Sequence, residues 1–186
     1  MGHGPKARRF ASAVVSPVML FWLLSLAWLA LPGAYARAEP SDQEKLKAVY
    51  KMYADYKADF PGVPDVSPKQ AMELLKQGQV VFVDARPADE RQVAMLPQAI
   101  SQEEFLRDPA KYREKTVIAY CTISYRSGVL ASKLRKKGVE IYNLRGGLLA
   151  WVHEGGKVYD QKGPTKRIHV YGRRWNLPPK GYEAVW

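Results

Sequence analysis

The sequence predicts an α/β fold in which a small parallel sheet carries helices on both faces. Three apolar runs rich in β-branched residues, at 80–83, 116–120 and 139–144, are typical of buried strands. Segments with helical spacing and helix-capping residues separate these runs. Strands that alternate with helices in this way favour a mostly parallel sheet that is covered on both faces.

Serine residues mark the beginnings of several predicted helices. Ser41 with Glu44 and Ser101 with Glu104 follow the spacing of a capping box. A serine at position 67 precedes a proline, which suits the first position of a helix. The predicted helices cover residues 41–57, 68–78, a stretch from 101, 127–137 and 147–153.

The first 38 residues have the features of a secretory signal peptide. A basic start precedes an apolar run over 14–31, and the small-residue site at 36–38 follows a Pro-Gly pair. We therefore predict cleavage after Ala38 and a periplasmic or secreted protein. A retained membrane anchor is the alternative, because the apolar run is close to the length that spans a bilayer.

After this leader the chain divides into three predicted parts. An N-terminal helix and linker cover 39–62, the α/β domain covers 63–155, and a C-terminal extension covers 156–186. The formal net charge of the chain is +11, and much of it lies in the extension. The basic residues of the extension are Lys157, Lys162, Lys166, Arg167, Arg173, Arg174 and Lys180.

Aromatic residues alternate with these basic residues in the extension. We expect the aromatic rings to pack on the domain while the Lys and Arg side chains stay in water. The alternative is contact with an anionic membrane surface or an acidic partner. An exported protein is not expected to bind nucleic acid, and no pattern in the sequence predicts an oligomeric state. The aromatic residues concerned are Tyr159, His169, Tyr171, Trp175, Tyr182 and Trp186.

The chain has a single cysteine, Cys121, and three scattered histidines. One cysteine excludes an internal disulfide and a multi-cysteine zinc site, and the histidines form no metal-binding spacing. We therefore expect neither a metal nor another cofactor. An unpaired cysteine in an exported protein is either buried and inert or kept for chemistry.

Cys121 follows a predicted buried strand and precedes a predicted helix. Ligands bind in this crevice of open α/β sheets, and a tight loop before a helix turns its amide groups toward an anion. The helix N-terminus and Arg126 add positive charge, which favours the thiolate that acts as a nucleophile. The alternative is an inert cysteine, since free cysteine is among the most buried residue types.

Four separated segments of the chain have recognisable motifs. They are Val83-Asp84-Ala85-Arg86 with Glu90, Leu96-Pro97-Gln98-Ala99-Ile100, Tyr120-Cys121-Thr122-Ile123-Ser124-Tyr125-Arg126-Ser127-Gly128, and Asn143-Leu144-Arg145-Gly146-Gly147 with Ala150-Trp151. In this order and spacing, over about residues 66–155, the segments resemble the rhodanese family of sulfurtransferases.

The resemblance implies that Cys121 takes a sulfur from a donor such as thiosulfate, becomes a persulfide, and passes the sulfur to a thiol or cyanide. The amides of Thr122, Ile123, Ser124 and Tyr125 would surround the sulfur, and Arg126 would orient the anionic donor. Three further residues, Asp84, Arg86 and Glu90, would support the scaffold by ion pairing. A tight turn would be formed by Gly146 and Gly147.

The sequence departs from the family pattern at the active loop. Ser124 and Gln98 stand where many members have glycine, and Ala94-Met95 stand where many have Gly-His. We expect Ser124 either to force the loop out of a positive-φ conformation or to offer its hydroxyl to the anion. The loop has a single cation, whereas members that prefer thiosulfate often have two.

Three functions therefore remain. The first is a sulfurtransferase that acts through a Cys121 persulfide. The second is a non-catalytic sulfur carrier or protein-binding module of the same fold. The third, a phosphatase or arsenate reductase, is disfavoured because those relatives have one residue more between cysteine and arginine than the four found here.

Overall fold

The computed structural model of the protein describes residues 1–2 and 39–186, and residues 39–186 form one compact unit. The predicted signal peptide lies outside the described residues, apart from Met1 and Gly2. Within the described part of the chain, no helix is long and apolar enough to cross a membrane.

A five-stranded parallel sheet forms the centre of the protein, which confirms the predicted fold class. Its strand order is 1-5-4-2-3. The long central pair runs in register from Val80 opposite Thr116 to Asp84 opposite Tyr120, so both strands end at the same edge. The strands are β1 (Asp65–Val66), β2 (Val80–Asp84), β3 (Ile100–Ser101), β4 (Thr116–Tyr120) and β5 (Tyr142–Leu144).

Six α-helices accompany the sheet in the described residues. The predicted serine caps are confirmed: Ser41 and Ser67 form complete capping boxes, and Ser101 accepts a hydrogen bond from the Glu104 amide. The helices are α1 (Asp42–Lys57), α2 (Pro68–Lys76), α3 (Ala88–Val93), α4 (Gln102–Arg107), α5 (Tyr125–Arg135) and α6 (Gly147–His153).

Side chains alternate across the strands and so build two cores. Phe82 and Ile118 point into one core, which α1, α2 and α6 cover. Val81 and Val117 point into the other, which α4 and α5 cover. Because both faces are buried, the central strands are apolar from Val80 to Val83 and from Val117 to Tyr120, as the sequence predicted.

Two elements begin two or three residues away from their predicted starts. α5 begins at Tyr125 rather than at residue 127, because the Ser124 carbonyl already accepts the Gly128 amide at 3.0 Å. β5 begins at Tyr142 rather than at residue 139, because the Val139 amide bonds the Leu134 carbonyl in the turn that ends α5. The earlier start of α5 places Arg126 in its first turn.

The C-terminal extension is packed on the domain. A hairpin of β6 (Val158–Asp160) and β7 (Gly163–Thr165) precedes a parallel pair, β8 (Arg167–His169) and β9 (Glu183–Val185). The fully buried side chains of Ile168 and Val170 belong to the core beneath α1, α2 and α6. The extension therefore contributes to the hydrophobic core of the domain it follows.

The prediction for the aromatic residues of the extension holds in part. Trp175 and Tyr182 pack against the core, whereas Tyr171 and Trp186 are exposed. The basic side chains of the extension are all exposed, as expected. The exposed ring of Tyr171 lines the same cavity as Cys121.

Candidate active site

Cys121 lies directly after β4, where the strand reaches the edge of the sheet and before α5 begins. Its side chain is 2% exposed and lines a cavity of about 380 Å³. The first-turn amides of α5 have no acceptor within the helix, and they carry the positive end of its dipole. The cysteine is therefore buried and yet faces a cavity beside a helix N-terminus.

Ser124 corrects one expectation about the loop. It keeps a left-handed backbone, with φ of 80°, although it is not glycine. Its hydroxyl does not face the cavity as an anion ligand but donates to the Leu144 carbonyl at 2.6 Å. This buried hydrogen bond offsets the strain of about 1–2 kcal/mol that a left-handed non-glycine residue carries.

Asn143 fixes the same loop from β5. Its side-chain nitrogen Nδ2 donates to the Ser124 carbonyl at 3.0 Å, and its side-chain oxygen Oδ1 accepts from the Ser127 hydroxyl at 2.7 Å. All three groups are buried. A single amide side chain thus joins the end of the loop to the first turn of α5, which rigidifies the residues after Cys121.

The glycine pair after β5 allows the start of α6 to contact the loop that follows Cys121. Gly146 and Gly147 both have positive φ, 69° and 58°. The amides of Leu148 and Leu149 donate to the carbonyls of Cys121 and Thr122 at 2.9 and 3.1 Å. The active loop therefore rests on the N-terminal turn of α6.

We expect Gly147→Ala to displace the loop and to destabilise the fold by about 2 kcal/mol or more. A methyl group there would overlap the Cys121 carbonyl oxygen and lie 2.8 Å from that of Thr122. Gly78→Ala is the matched control, because Gly78 has a similar φ of 66° but open space around it. It should cost only the backbone strain, about 1 kcal/mol. Urea unfolding measures the free energy of unfolding of each variant. Equal decreases in Gly147→Ala and Gly78→Ala would show that the contact with the loop carbonyls does not matter.

Glu90 and Arg126 form an ion pair at the entrance to the loop. The Arg126 fork donates to both Glu90 oxygens, at 2.5 and 2.8 Å, and Glu90 is 2% exposed. Burial lowers the pKa of Arg126, but Glu90 and Cys121 raise it by more, so the pKa lies above its ordinary value. The Arg126 guanidinium, which we expected to orient the anionic sulfur donor, is thus already paired with Glu90.

Asp84 and Arg86 form a second ion pair at the end of β2. Both side chains are fully buried, and Arg86 donates to the two carboxylate oxygens at 2.9 and 2.7 Å. The guanidinium also lies over the ring of Tyr120, the residue before Cys121, at 5.6 Å. This pair supports the edge of the sheet and does not line the Cys121 cavity.

Four aromatic side chains surround the cavity. Tyr56 comes from α1, Tyr125 is the first residue of α5, and Tyr171 and Trp175 come from the C-terminal extension. Sequence analysis assigned none of them except Tyr125 to the site, because the others are far away in the chain. The remaining lining residues are Cys121, Thr122, Ile123 and Arg126.

The fold also brings His169 close to the site, with Nδ1 3.7 Å from a Glu90 carboxylate oxygen. The spacing in the sequence gave no sign of this contact. Among the described residues, no cluster of His, Cys, Asp or Glu could hold a metal ion.

Comparison with known proteins places this arrangement in a family. The sequence model of the rhodanese-like domain matches residues 67–154. A tRNA uridine(34) hydroxylase of Corynebacterium diphtheriae is 28% identical over 141 residues, which cover 68% of this chain and 44% of the hydroxylase. An uncharacterised protein of Synechocystis is 36% identical over 94 residues, which cover 48% of this chain and 52% of that protein.

The fold is similar to that of a thiosulfate sulfurtransferase from Pseudomonas aeruginosa, with a TM-score of 0.51 at 22% identity. The match covers 62% of this chain and 23% of that protein, so it supports the fold and not the activity. This chain spans about half or less of the length of the relatives named above. The family match covers strands β2 to β5, the Cys121 loop and the glycine turn, and residues 67–154 therefore form a rhodanese-like domain.

Proposed function

We propose that the protein is a sulfurtransferase that carries sulfur as a persulfide on Cys121. The observation that supports this most strongly is the placement of Cys121, the one cysteine of the chain, at a strand end facing a cavity in a rhodanese-like domain. The relatives named tRNA uridine(34) hydroxylase are matched over less than half of their length. The proposal therefore concerns the chemistry of Cys121 and does not extend to tRNA.

Two displacements at sulfur make up the reaction. The Cys121 thiolate attacks the outer sulfur of the donor, and the donor's S–S bond breaks with its electron pair on the leaving group, which is sulfite when the donor is thiosulfate. An acceptor thiolate or cyanide then attacks the outer sulfur of the persulfide, and Cys121 leaves as the thiolate. The first-turn amides of α5 stabilise the negative charge in each state.

The ion pair at the loop entrance predicts how the protein treats thiosulfate. Because Glu90 occupies both arms of the Arg126 fork, a dianionic donor has to displace a carboxylate before it can bind there. We expect thiosulfate to be a poor donor and sulfane sulfur donors that need no cation to be better ones. Thiocyanate formation from cyanide measures the turnover with each donor.

Glu90→Gln is expected to raise kcat/KM for thiosulfate by about three- to tenfold. The substitution removes the carboxylate that competes with thiosulfate for the hydrogen bonds of the Arg126 guanidinium. Glu103→Gln is the matched control, because Glu103 pairs with Arg91 at 3.2 Å and does not line the cavity. It should leave the rate unchanged. A lower rate in Glu90→Gln would mean that Glu90 holds Arg126 in its working position instead.

The same ion pair favours a second candidate, a non-catalytic sulfur carrier or binding module, because the loop cation is already neutralised. A carrier accepts one sulfur per chain and then stops, whereas a sulfurtransferase turns over repeatedly. Thiocyanate in many-fold excess over protein would support the enzyme, and a yield that stops at one equivalent would support the carrier.

A further inference from the structure

Three of the four aromatic side chains around the Cys121 cavity come from segments outside the family match. Tyr56 precedes residues 67–154, and Tyr171 and Trp175 follow them. Together with Tyr125 they turn the crevice above the cysteine into an aromatic cavity. Its volume of about 380 Å³ lies in the range of sites that hold small organic molecules.

The rings are held in place by one another. Tyr56 meets Tyr125 edge to face, with ring centres 5.3 Å apart, and Tyr171 meets Trp175 in the same way at 5.2 Å. Such pairs are favourable and geometrically specific. Two aromatic pairs, Tyr56 with Tyr125 and Tyr171 with Trp175, therefore orient the rings that line the cavity.

The charge in the cavity does not suit a small dianion. Arg126 is the only charged lining residue among those described, and Glu90 neutralises it. The ring of Tyr171 lies 5.5 Å from the Arg126 guanidinium carbon. A compact anion would leave water for aromatic walls and a paired cation, which costs free energy that an apolar ligand does not lose.

Tyr171 adds an independent sign that this wall serves a ligand. It is 61% exposed and yet has a left-handed backbone, with φ of 69°. A bulky residue in this conformation is a true outlier, and such strain concentrates at ligand sites. The exposed Tyr171 ring lines the cavity and meets Trp175 edge to face.

We propose that the sulfur acceptor is an organic thiol of low molecular weight with an aromatic or branched apolar body. This inference rests on the sulfurtransferase function proposed above. The apolar body lies among the four rings, and the acceptor thiolate attacks the outer sulfur of the Cys121 persulfide. The persulfide S–S bond breaks, its electron pair returns to Cys121 as the thiolate, and the product is the organic persulfide.

The test compares two acceptors on protein that inorganic polysulfide has converted to the persulfide. Phenylmethanethiol and 2-mercaptoethanol are alkyl thiols of similar acidity that differ in the aromatic body. Intact mass at timed intervals follows the loss of the outer sulfur from the Cys121 persulfide and gives a rate for each thiol. The ratio of the two rates is divided by the same ratio for glutathione persulfide free in solution, which removes any intrinsic difference in reactivity.

We expect the corrected ratio to exceed about ten in the wild-type protein and to fall about three- to tenfold in Tyr171→Ala and in Trp175→Ala. Trp186→Ala is the matched control, since Trp186 is an exposed aromatic residue of the same extension outside the cavity. It should keep the wild-type ratio. Trp175→Phe, which keeps a ring, should retain most of the preference if Trp175→Ala fails to fold.

Two results overturn the inference and can be told apart. A corrected ratio near one with a fully formed persulfide overturns the aromatic acceptor but leaves the sulfurtransferase function standing. A ratio that stays at the wild-type value in Tyr171→Ala, and in Trp175→Ala where that variant folds, overturns the assignment of these walls. Failure of the wild-type protein to form any persulfide overturns the proposed function itself.

Discussion

Cys121→Ser is expected to form no persulfide and to lose sulfur transfer by at least about four orders of magnitude. The serine hydroxyl remains protonated at neutral pH and does not displace sulfur from a sulfane donor, so neither half of the reaction can occur. Because Cys121 is the one cysteine of the chain, no second thiol can replace it. Thiocyanate formation in the presence of cyanide measures the loss.

The fold of this variant has to be intact for the loss to be informative. Cys121 is 2% exposed, and serine is close to it in size, so the urea midpoint should change little. Retained activity in a folded Cys121→Ser protein would mean that another group carries the sulfur. That outcome would exclude the persulfide mechanism, whatever the rate.

Arg86→Ala is expected to destabilise the protein by about 3–5 kcal/mol, the cost of leaving a buried charge without its partner. Asp84 would then remain at the end of β2 with both oxygens stripped of their guanidinium donors. Burial lowers the pKa of Arg86, but the charge and hydrogen bonds of Asp84 raise it by more, so the pKa lies above its ordinary value. The guanidinium of Arg86 is therefore charged at neutral pH. Equilibrium unfolding in urea measures the cost.

Arg113→Ala is the control for this prediction. Arg113 pairs with Glu114, but the two side chains are 78% and 85% exposed. An exposed pair contributes less than about 1 kcal/mol, so the control should unfold almost as the wild-type protein does. Similar decreases in the free energy of unfolding of Arg86→Ala and Arg113→Ala would show that burial does not make the Asp84–Arg86 pair more important for stability than an exposed pair.

This pair also connects stability to the site. The Ala85 amide donates to the Tyr120 carbonyl at 2.9 Å, and the Tyr120 hydroxyl accepts from the Leu96 amide at 3.1 Å. Movement of Arg86 would therefore change the end of β4, where Cys121 begins the active loop. We place Asp84 and Arg86 among the residues that position the loop, in agreement with the sequence-based expectation of a structural ion pair.

The central strands and the capped helices could be predicted because their signals are local. An apolar run such as 80–83 and a serine cap such as Ser67 have meaning within a few residues. The two-residue strands β1 and β3 were not predicted, because so short a segment has no period. Their pairing with Asn143 and Val83 depends on the whole sheet.

In the candidate site, too, the residues with local sequence signals could be predicted and those brought in by tertiary packing could not. Cys121 and Arg126 could be found because strand, loop and helix follow one another in the chain. Ser124 was misjudged because a propensity argument does not include the distant Leu144 carbonyl that stabilises its left-handed backbone. Tyr171 and Trp175 could not be assigned because only the packing of Ile168 and Val170 in the core brings the extension to the site.

Intact mass of the full chain after incubation with a sulfane sulfur donor tests the central claim most directly. The account predicts a gain of one sulfur atom on the wild-type protein, complete removal of that atom by cyanide, and no gain on Cys121→Ser. A parallel sample with a phosphate ester should gain nothing. The absence of a sulfur adduct with thiosulfate and with polysulfide, or the appearance of a phosphoryl adduct on Cys121, would contradict it.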